Sequence, residues 1–215
     1  MAGTTQGQAE LAREVGLQPL MPRKAIEYLR GCLERSNCYL EYGSGGSTRM
    51  ALRMRVPAVF SVESDLGFAE AVRQAVAADL AESGAGSRFE MLAIDIGCRR
   101  RRWGYPDGEA LIRHWHHYPL QPWEILAAEG LRPDLVLVDG RFRVACVLAS
   151  LLQAPAGTRI LVDDYGDRVD WYGPVEAHVP LERIVGRMAV FTVPSALRDP
   201  GAVAFDLIRY SLDPR

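Results

Sequence analysis

The chain is short of several things that would place it quickly. Its four cysteines, Cys32, Cys38, Cys98 and Cys146, form no C-x-x-C pair. That removes the usual spacing of a zinc or dithiol site and leaves reduced, packing cysteines as the expectation. No apolar run reaches the roughly 18 residues of a membrane span. The formal net charge is only -2, so bulk attraction to nucleic acid or a membrane surface is not expected. Met1 to Gln18 lacks a basic-then-apolar leader pattern, and a cytoplasmic protein is expected. Internal repeats and low-complexity stretches are also missing. What remains is 215 residues with 48% hydrophobic and 24% charged content, enough for one sizeable globular domain with a full core.

Residues 1–20 read as an arm, Gly/Thr/Gln-rich and then weakly helical. A helical stripe follows from Pro22 to Ser36. Cys38 to Tyr42 is the first predicted strand, and Ser47 to Arg55 a helix. Ala58 to Glu63 and Phe89 to Asp95 are strands around a helix over Leu66–Ala81, which Ser64 or Asp65 can cap. Pro133 to Asp139 is an uninterrupted apolar strand, suited to a parallel position buried on both faces. Arg141–Gln153 is an apolar helix and Thr158–Asp163 a fifth strand. A short helix is expected around Trp171–Ala177. Glu182–Val185 and Met188–Val193 can pair through Gly186 and Arg187 as a closing hairpin. Ala202–Leu212 is a last helix, with Ala204, Leu207, Ile208 and Ser211 on one face. Repeated strand–helix alternation argues for an α/β protein, an open, mostly parallel sheet with helices on both faces.

One segment breaks that rhythm. Residues 97–130 are too long for a simple link and carry Arg99 to Arg102, Trp103, Tyr105, Trp115, Tyr118 and Trp123. They read as an insertion with one or two helices, Asp107–His116 and Pro122–Glu129. All four tryptophans, the three in this segment and Trp171, fall near the expected ligand edge. They suit a lid walling a substrate pocket, or a small aromatic core closing the insertion.

The stretch Tyr39-Leu-Glu-Tyr-Gly-Ser-Gly-Gly-Ser-Thr48 joins a strand to a helix through three glycines. Glycine allows close backbone approach, and the helix start supplies unpaired N–H groups. Acids stand at the carboxyl ends of the predicted strands: Glu41, Glu63, Asp95, Asp139 and Asp163. Open α/β sheets bind ligands in the crevice beyond those ends. A carboxylate at Glu63 can accept both hydroxyls of a ribose, and one at Asp95 an exocyclic amine. A nicotinamide site is disfavoured, because Thr48 stands where G-x-G-x-x-G needs its third glycine.

With these residues the chain resembles the class I S-adenosylmethionine-dependent methyltransferases. Glu41-x-Gly43-x-Gly45-x-Ser47 is similar to their first motif, with Ser in place of the last Gly. Glu63 matches the ribose-binding acid, and Asp95-Ile96 the adenine segment. A narrower resemblance, to small bacterial methyltransferase-like proteins, rests on Glu-Tyr-Gly-Ser-Gly-Gly-Ser, Val-Asp-Gly-Arg-Phe-Arg-Val and Asp-Asp-Tyr. It implies a Rossmann-like seven-stranded sheet whose last strand is antiparallel. It also implies S-adenosylmethionine held by Glu41, Gly43, Ser44, Gly45, Gly46, Ser47, Glu63, Ser64, Asp95, Ile96 and Asp139.

The resemblance leaves the acceptor open. An Asp/Asn-Pro-Pro-aromatic motif, expected for methylation of base amino groups, is missing at Val138-Asp-Gly-Arg141. A small-molecule acceptor is expected, with oxygen one option for the reacting atom. Asp139 and Asp164 are the candidate catalytic acids; Trp103, Arg141 and Tyr165 are the candidate substrate contacts. Asp139, Asp163 and Asp164 are also placed like the metal-binding acids of catechol O-methyltransferase-type enzymes, and would suit Mg²⁺; no metal is assigned. His114, His116 and His117 do not share a helix face well enough for a metal cluster. The alternatives are a non-catalytic cofactor-binding protein and an RNA-modifying enzyme using Arg99–Arg102. Oligomeric state is not legible.

Overall fold

The computed structural model describes residues 15, 16, 18–83, 86–98 and 104–215, with the side chains of residues 82 and 83 left out. Its elements follow the sequence closely: α1 (Arg23–Leu33), β1 (Cys38–Tyr42), α2 (Gly46–Arg53), β2 (Ala58–Glu63), α3 (Leu66–Ser83) and β3 (Arg88–Ala93). Within the insertion lies α4 (His117–Ala128), and after it come β4 (Leu135–Val138), α5 (Arg143–Gln153), β5 (Arg159–Val162), α6 (Val169–Tyr172), β6 (Arg183–Val185), β7 (Met188–Thr192) and α7 (Pro200–Tyr210).

The seven strands form one sheet in the order β3-β2-β1-β4-β5-β7-β6. β1 pairs in parallel with both β2 and β4, so the chain reverses direction across the sheet beside β1. That reversal opens a crevice at the carboxyl ends of β1 and β4. β7 runs antiparallel to β5 and closes on β6 through the predicted hairpin, with Gly186 at φ 66°.

Alternation within β4 shows how the sheet is buried twice. Val136 and Val138 enter a core shared with α4, α5 and α7, whereas Leu135 and Leu137 enter one shared with α1, α2 and α3. Helices on both faces follow from strands apolar on both sides. Asp65 Oδ1 caps α3, accepting from Gly67 N at 2.9 Å and Phe68 N at 3.0 Å. Among the described residues no helix is long and apolar enough to cross a membrane.

Three expectations change. The insertion has a single 3-10 turn, Ile112–His114, where a helix over Asp107–His116 is predicted. Ahead of that turn, Cys98 is bridged to Pro106 and Asp107 N donates to Gly97 O at 2.8 Å. The next helix begins at His117, before Pro122. Pro119 lies in its first turn and loses no intrahelical bond; Pro122 forgoes one. Finally, α7 buries Val203, Leu207 and Ser211, while Ile208 is 71% exposed. The buried face is thus rotated from the predicted one.

Candidate functional site

The Gly turn is tied down from below and from one side. Glu41 is fully buried beneath it. Its carboxylate accepts from Tyr39 Oη at 2.9 Å, Ser61 Oγ at 2.7 Å and the Thr48 hydroxyl. Thr48 Oγ1 in turn accepts from Gly45 N at 2.9 Å. Burial pushes the Glu41 carboxyl up, and these hydroxyls oppose the rise. The sequence suggested a ligand contact for Glu41; the carboxylate lies under the loop and shapes it through Thr48.

Glu63 holds the same loop from the side. Ser44 donates its N–H at 3.2 Å and its hydroxyl at 2.9 Å to one carboxylate oxygen. Ser64 N at 2.7 Å and Asp65 N at 2.9 Å donate to the other. Burial raises its pKa against these bonds. Gly43 and Gly46 are close-approach positions. A Cβ on Gly43 would lie 2.8 Å from Gly140 N, and one on Gly46 2.1 Å from Gln18 O. Gly45, at φ 148°, faces open space, its nearest neighbour being Phe68 at 4.0 Å. Ser47 is buried in the first turn of α2.

The β3 end is less committed. Asp95 is exposed and closes its own turn, accepting from Gly97 N at 2.8 Å. Ile96 turns its side chain into the core, and its carbonyl accepts from Trp115 Nε1 at 3.0 Å.

A second cluster lies across β4. The carboxylates of Asp139, Asp163 and Asp164 offer oxygens within 4.8 Å of one another. Three guanidiniums already meet them. Arg143 pairs with Asp139 at 3.1 Å and Asp164 at 3.4 Å; Arg168 pairs with Asp164 at 3.0 Å. Arg187 reaches Asp163 at 2.7 Å and Asp164 at 2.9 Å. Three charges of each sign cancel, so this donor set does not fit a resident cation without displacing arginines. Asp164 sits at φ 58°, a left-handed position that aims it back at this cluster. Asp139 is different in being open, with 32% of its side chain exposed. Burial of the rest pushes its pKa to about 7, against the pull of Arg143 and with repulsion from Asp163 and Asp164. Solvent contact moderates that rise.

The predicted substrate contacts separate. Tyr165 is buried, its hydroxyl donating to Glu176 Oε1 at 2.6 Å and its ring against Phe191. It is a core residue, not a pocket wall. Trp103 and Arg99–Arg102 lie outside the described residues. Trp115 and Trp123 are also core, each 5% exposed, and Trp123 Nε1 donates to Tyr42 Oη at 2.8 Å. Trp115, Tyr118 and Trp123 therefore close this segment onto the sheet, whereas Trp171 is 41% exposed. Arg141 is buried near Glu63, on the turn that carries Asp139. The sequence did not single out Tyr118. Its hydroxyl would lie 2.1 Å from a Cβ on Gly140 and accepts from Arg141 N at 3.4 Å, so it packs under the turn after β4. No sequence signal separates it from other insertion aromatics.

This sheet order, with a Gly turn after β1 and an acid ending β2, defines a class I methyltransferase fold. A methyltransferase-like protein from Silicibacter pomeroyi has the same structure with a TM-score of 0.81 and 37% identity, covering 93% of this chain and 100% of that one. The chain belongs to the same family, small methyltransferase-like proteins within the class I S-adenosylmethionine-dependent methyltransferase superfamily. A protein described as a "putative O-methyltransferase" from Klebsiella pneumoniae shares the fold at a TM-score of 0.52 and 14% identity, covering 91% of each chain. No family model and no curated protein matches the chain.

Proposed function

We propose that the protein transfers a methyl group from S-adenosylmethionine to a small-molecule acceptor. The observation that carries this reading is the buried Glu63 carboxylate at the end of β2, bonded to the Gly turn through Ser44. A ribose diol would take the place of the Ser44 hydroxyl on that carboxylate. The space above Gly45, where the nearest neighbour of a Cβ is Phe68 at 4.0 Å, would take the cofactor's amino-acid end. Asp95 lies on the loop where the adenine would meet the β3 edge. When bound, the cofactor supplies an electrophilic methyl group on a sulfonium.

The chain's own part is to align the acceptor and remove its proton. Orientation supplies most of the barrier reduction for a displacement of this kind. Asp139 is open, stands at the end of β4 and titrates near neutral pH, so its carboxylate oxygen accepts the acceptor's proton. The bound cofactor would supply the methyl carbon to the acceptor's lone pair and would keep the C–S electron pair as its leaving thioether. Asp164 and Arg143 fix the Asp139 side of the site through their shared ion pairs. A hydroxyl acceptor fits this proton transfer.

The test is release of S-adenosylhomocysteine by the full chain across a panel of phenols, carboxylic acids and amines. Turnover lost in D139N supports the reading. Cofactor binding without turnover on any acceptor overturns the catalytic part.

A further inference from the structure

Arg141 is 5% exposed, and among the described residues neither its Nε nor its Nη1 has a hydrogen-bond partner. An unpaired buried guanidinium is expensive, since the desolvation of the charge is not repaid. The neighbouring arginines show what a repaid one looks like: Arg143 and Arg187 each meet carboxylates and a backbone carbonyl. Among the described residues the Arg141 guanidinium meets only a ring, 4.0 Å from the centroid of Tyr105. A ring face attracts the cation but accepts none of its directed N–H bonds.

Its position is equally specific. Arg141 follows Asp139 by two residues on the turn after β4. Its stem lies 3.7 Å from where a Cβ of Gly104 would be, and that point is 3.9 Å from Glu63 Oε1. The Arg141 stem thus lies on the Glu63 side of the turn that carries Asp139. Resting on the methyltransferase reading, we propose that Arg141 binds an anionic oxygen group of the acceptor. The substrate class is then small molecules bearing a carboxylate or phosphate besides the methylated atom. The anion supplies the partners that Nε and Nη1 lack. Charge-assisted bonds of this kind set orientation as well as affinity. The cofactor's own carboxylate is the other source of such a group; in the proposed reading the Gly turn takes that end.

The test uses the full chain with S-adenosylhomocysteine present, at constant ionic strength, and benzoate, phenyl phosphate and uncharged benzamide as probes. Calorimetry and thermal melting are read together. Wild type is expected to bind at least one of the two anions more tightly than benzamide. R141M is expected to weaken that binding at least 10-fold and to melt no lower than wild type without ligand, because it removes an unpaired charge. R141K keeps the charge without the planar fork and should also bind the anions more weakly; it carries the test if R141M does not fold. Equal anion binding by wild type and variants, or none by wild type, overturns the proposal. So does a 10-fold loss of S-adenosylmethionine affinity in R141M that 5′-methylthioadenosine does not share, which would assign Arg141 to the cofactor carboxylate. Failure of wild type to bind S-adenosylhomocysteine at all would instead sink the methyltransferase reading itself.

Discussion

Ser44 and Glu63 are joined twice, by the Ser44 N–H at 3.2 Å and its hydroxyl at 2.9 Å. This pair fastens the Gly turn after β1 to the end of β2. A ligand that takes Glu63 must release the Ser44 hydroxyl, so loop conformation and binding are coupled. S44A removes the competing hydroxyl and keeps the backbone bond. S-adenosylhomocysteine affinity measured by calorimetry should then be unchanged or up to about 5-fold tighter, on the order of 1 kcal/mol for one neutral hydrogen bond. A large loss would show that Ser44 itself contacts the ligand.

Beneath the turn, Glu41 serves three hydroxyls at once. E41A leaves Tyr39, Thr48 and Ser61 without their acceptor and should cost about 3 kcal/mol in urea unfolding. E41Q keeps an acceptor oxygen and should cost less, since burial already favours the uncharged form of this group. Equal losses for the two variants would argue against a hydrogen-bonding role.

Asp139 gives a pH signature. Its pKa rises from an ordinary 3.8 to about 7 in the folded chain. Folding therefore favours the protonated form. Its stabilising contribution is complete below the ordinary carboxylate range and is lost as pH rises through about 7. The melting temperature of wild type minus that of D139N should fall between pH 4 and pH 8. Turnover limited by this base should rise through about pH 7 over the same range. A difference that does not change with pH would remove Asp139 from both roles.

The acid cluster after β4 and β5 already carries its counter-charge. R187M would strip Asp163, fully buried, of its partner and should destabilise the fold by roughly 3–5 kcal/mol. Millimolar Mg²⁺ should leave the wild-type melting temperature within 1 °C or so, and a chelator should leave turnover intact. A marked Mg²⁺ stabilisation of wild type would mean that the arginines yield to a metal.

Tryptophans separate packing from surface. W123A should cost about 3–5 kcal/mol, as expected for a large buried aromatic. W171A should stay within about 0.5 kcal/mol of wild type by the same unfolding measurement, because its ring is half in solvent.

The strands were legible because β4 and its neighbours are apolar on both faces, and because acids punctuate their ends. The proposal of a ligand in the crevice beyond β1 and β4 rests on those acids and the Gly turn. The insertion was less legible, since its prolines read as helix boundaries when Pro119 lies harmlessly in a first turn. Tyr165 looked like a site residue beside Asp163 and Asp164. Its hydroxyl partner, Glu176, lies in the 3-10 turn Gly173–Ala177; the sequence places a short helix there, but not its contact with Tyr165. The arginine pairing across the acid cluster depends on β7 bringing Arg187 back beside β5. Arg141 stood out by residue type, but only its burial and missing partners give it chemical weight.

The central claim is that Glu63 and the Gly turn hold S-adenosylmethionine. Calorimetric titration of the wild-type chain and of E63A tests it most directly. The account predicts one-site binding to wild type, weakened at least 10-fold in E63A with the fold retained, a loss of about 1.4 kcal/mol or more. No detectable binding to wild type, or equal binding to both, would contradict it.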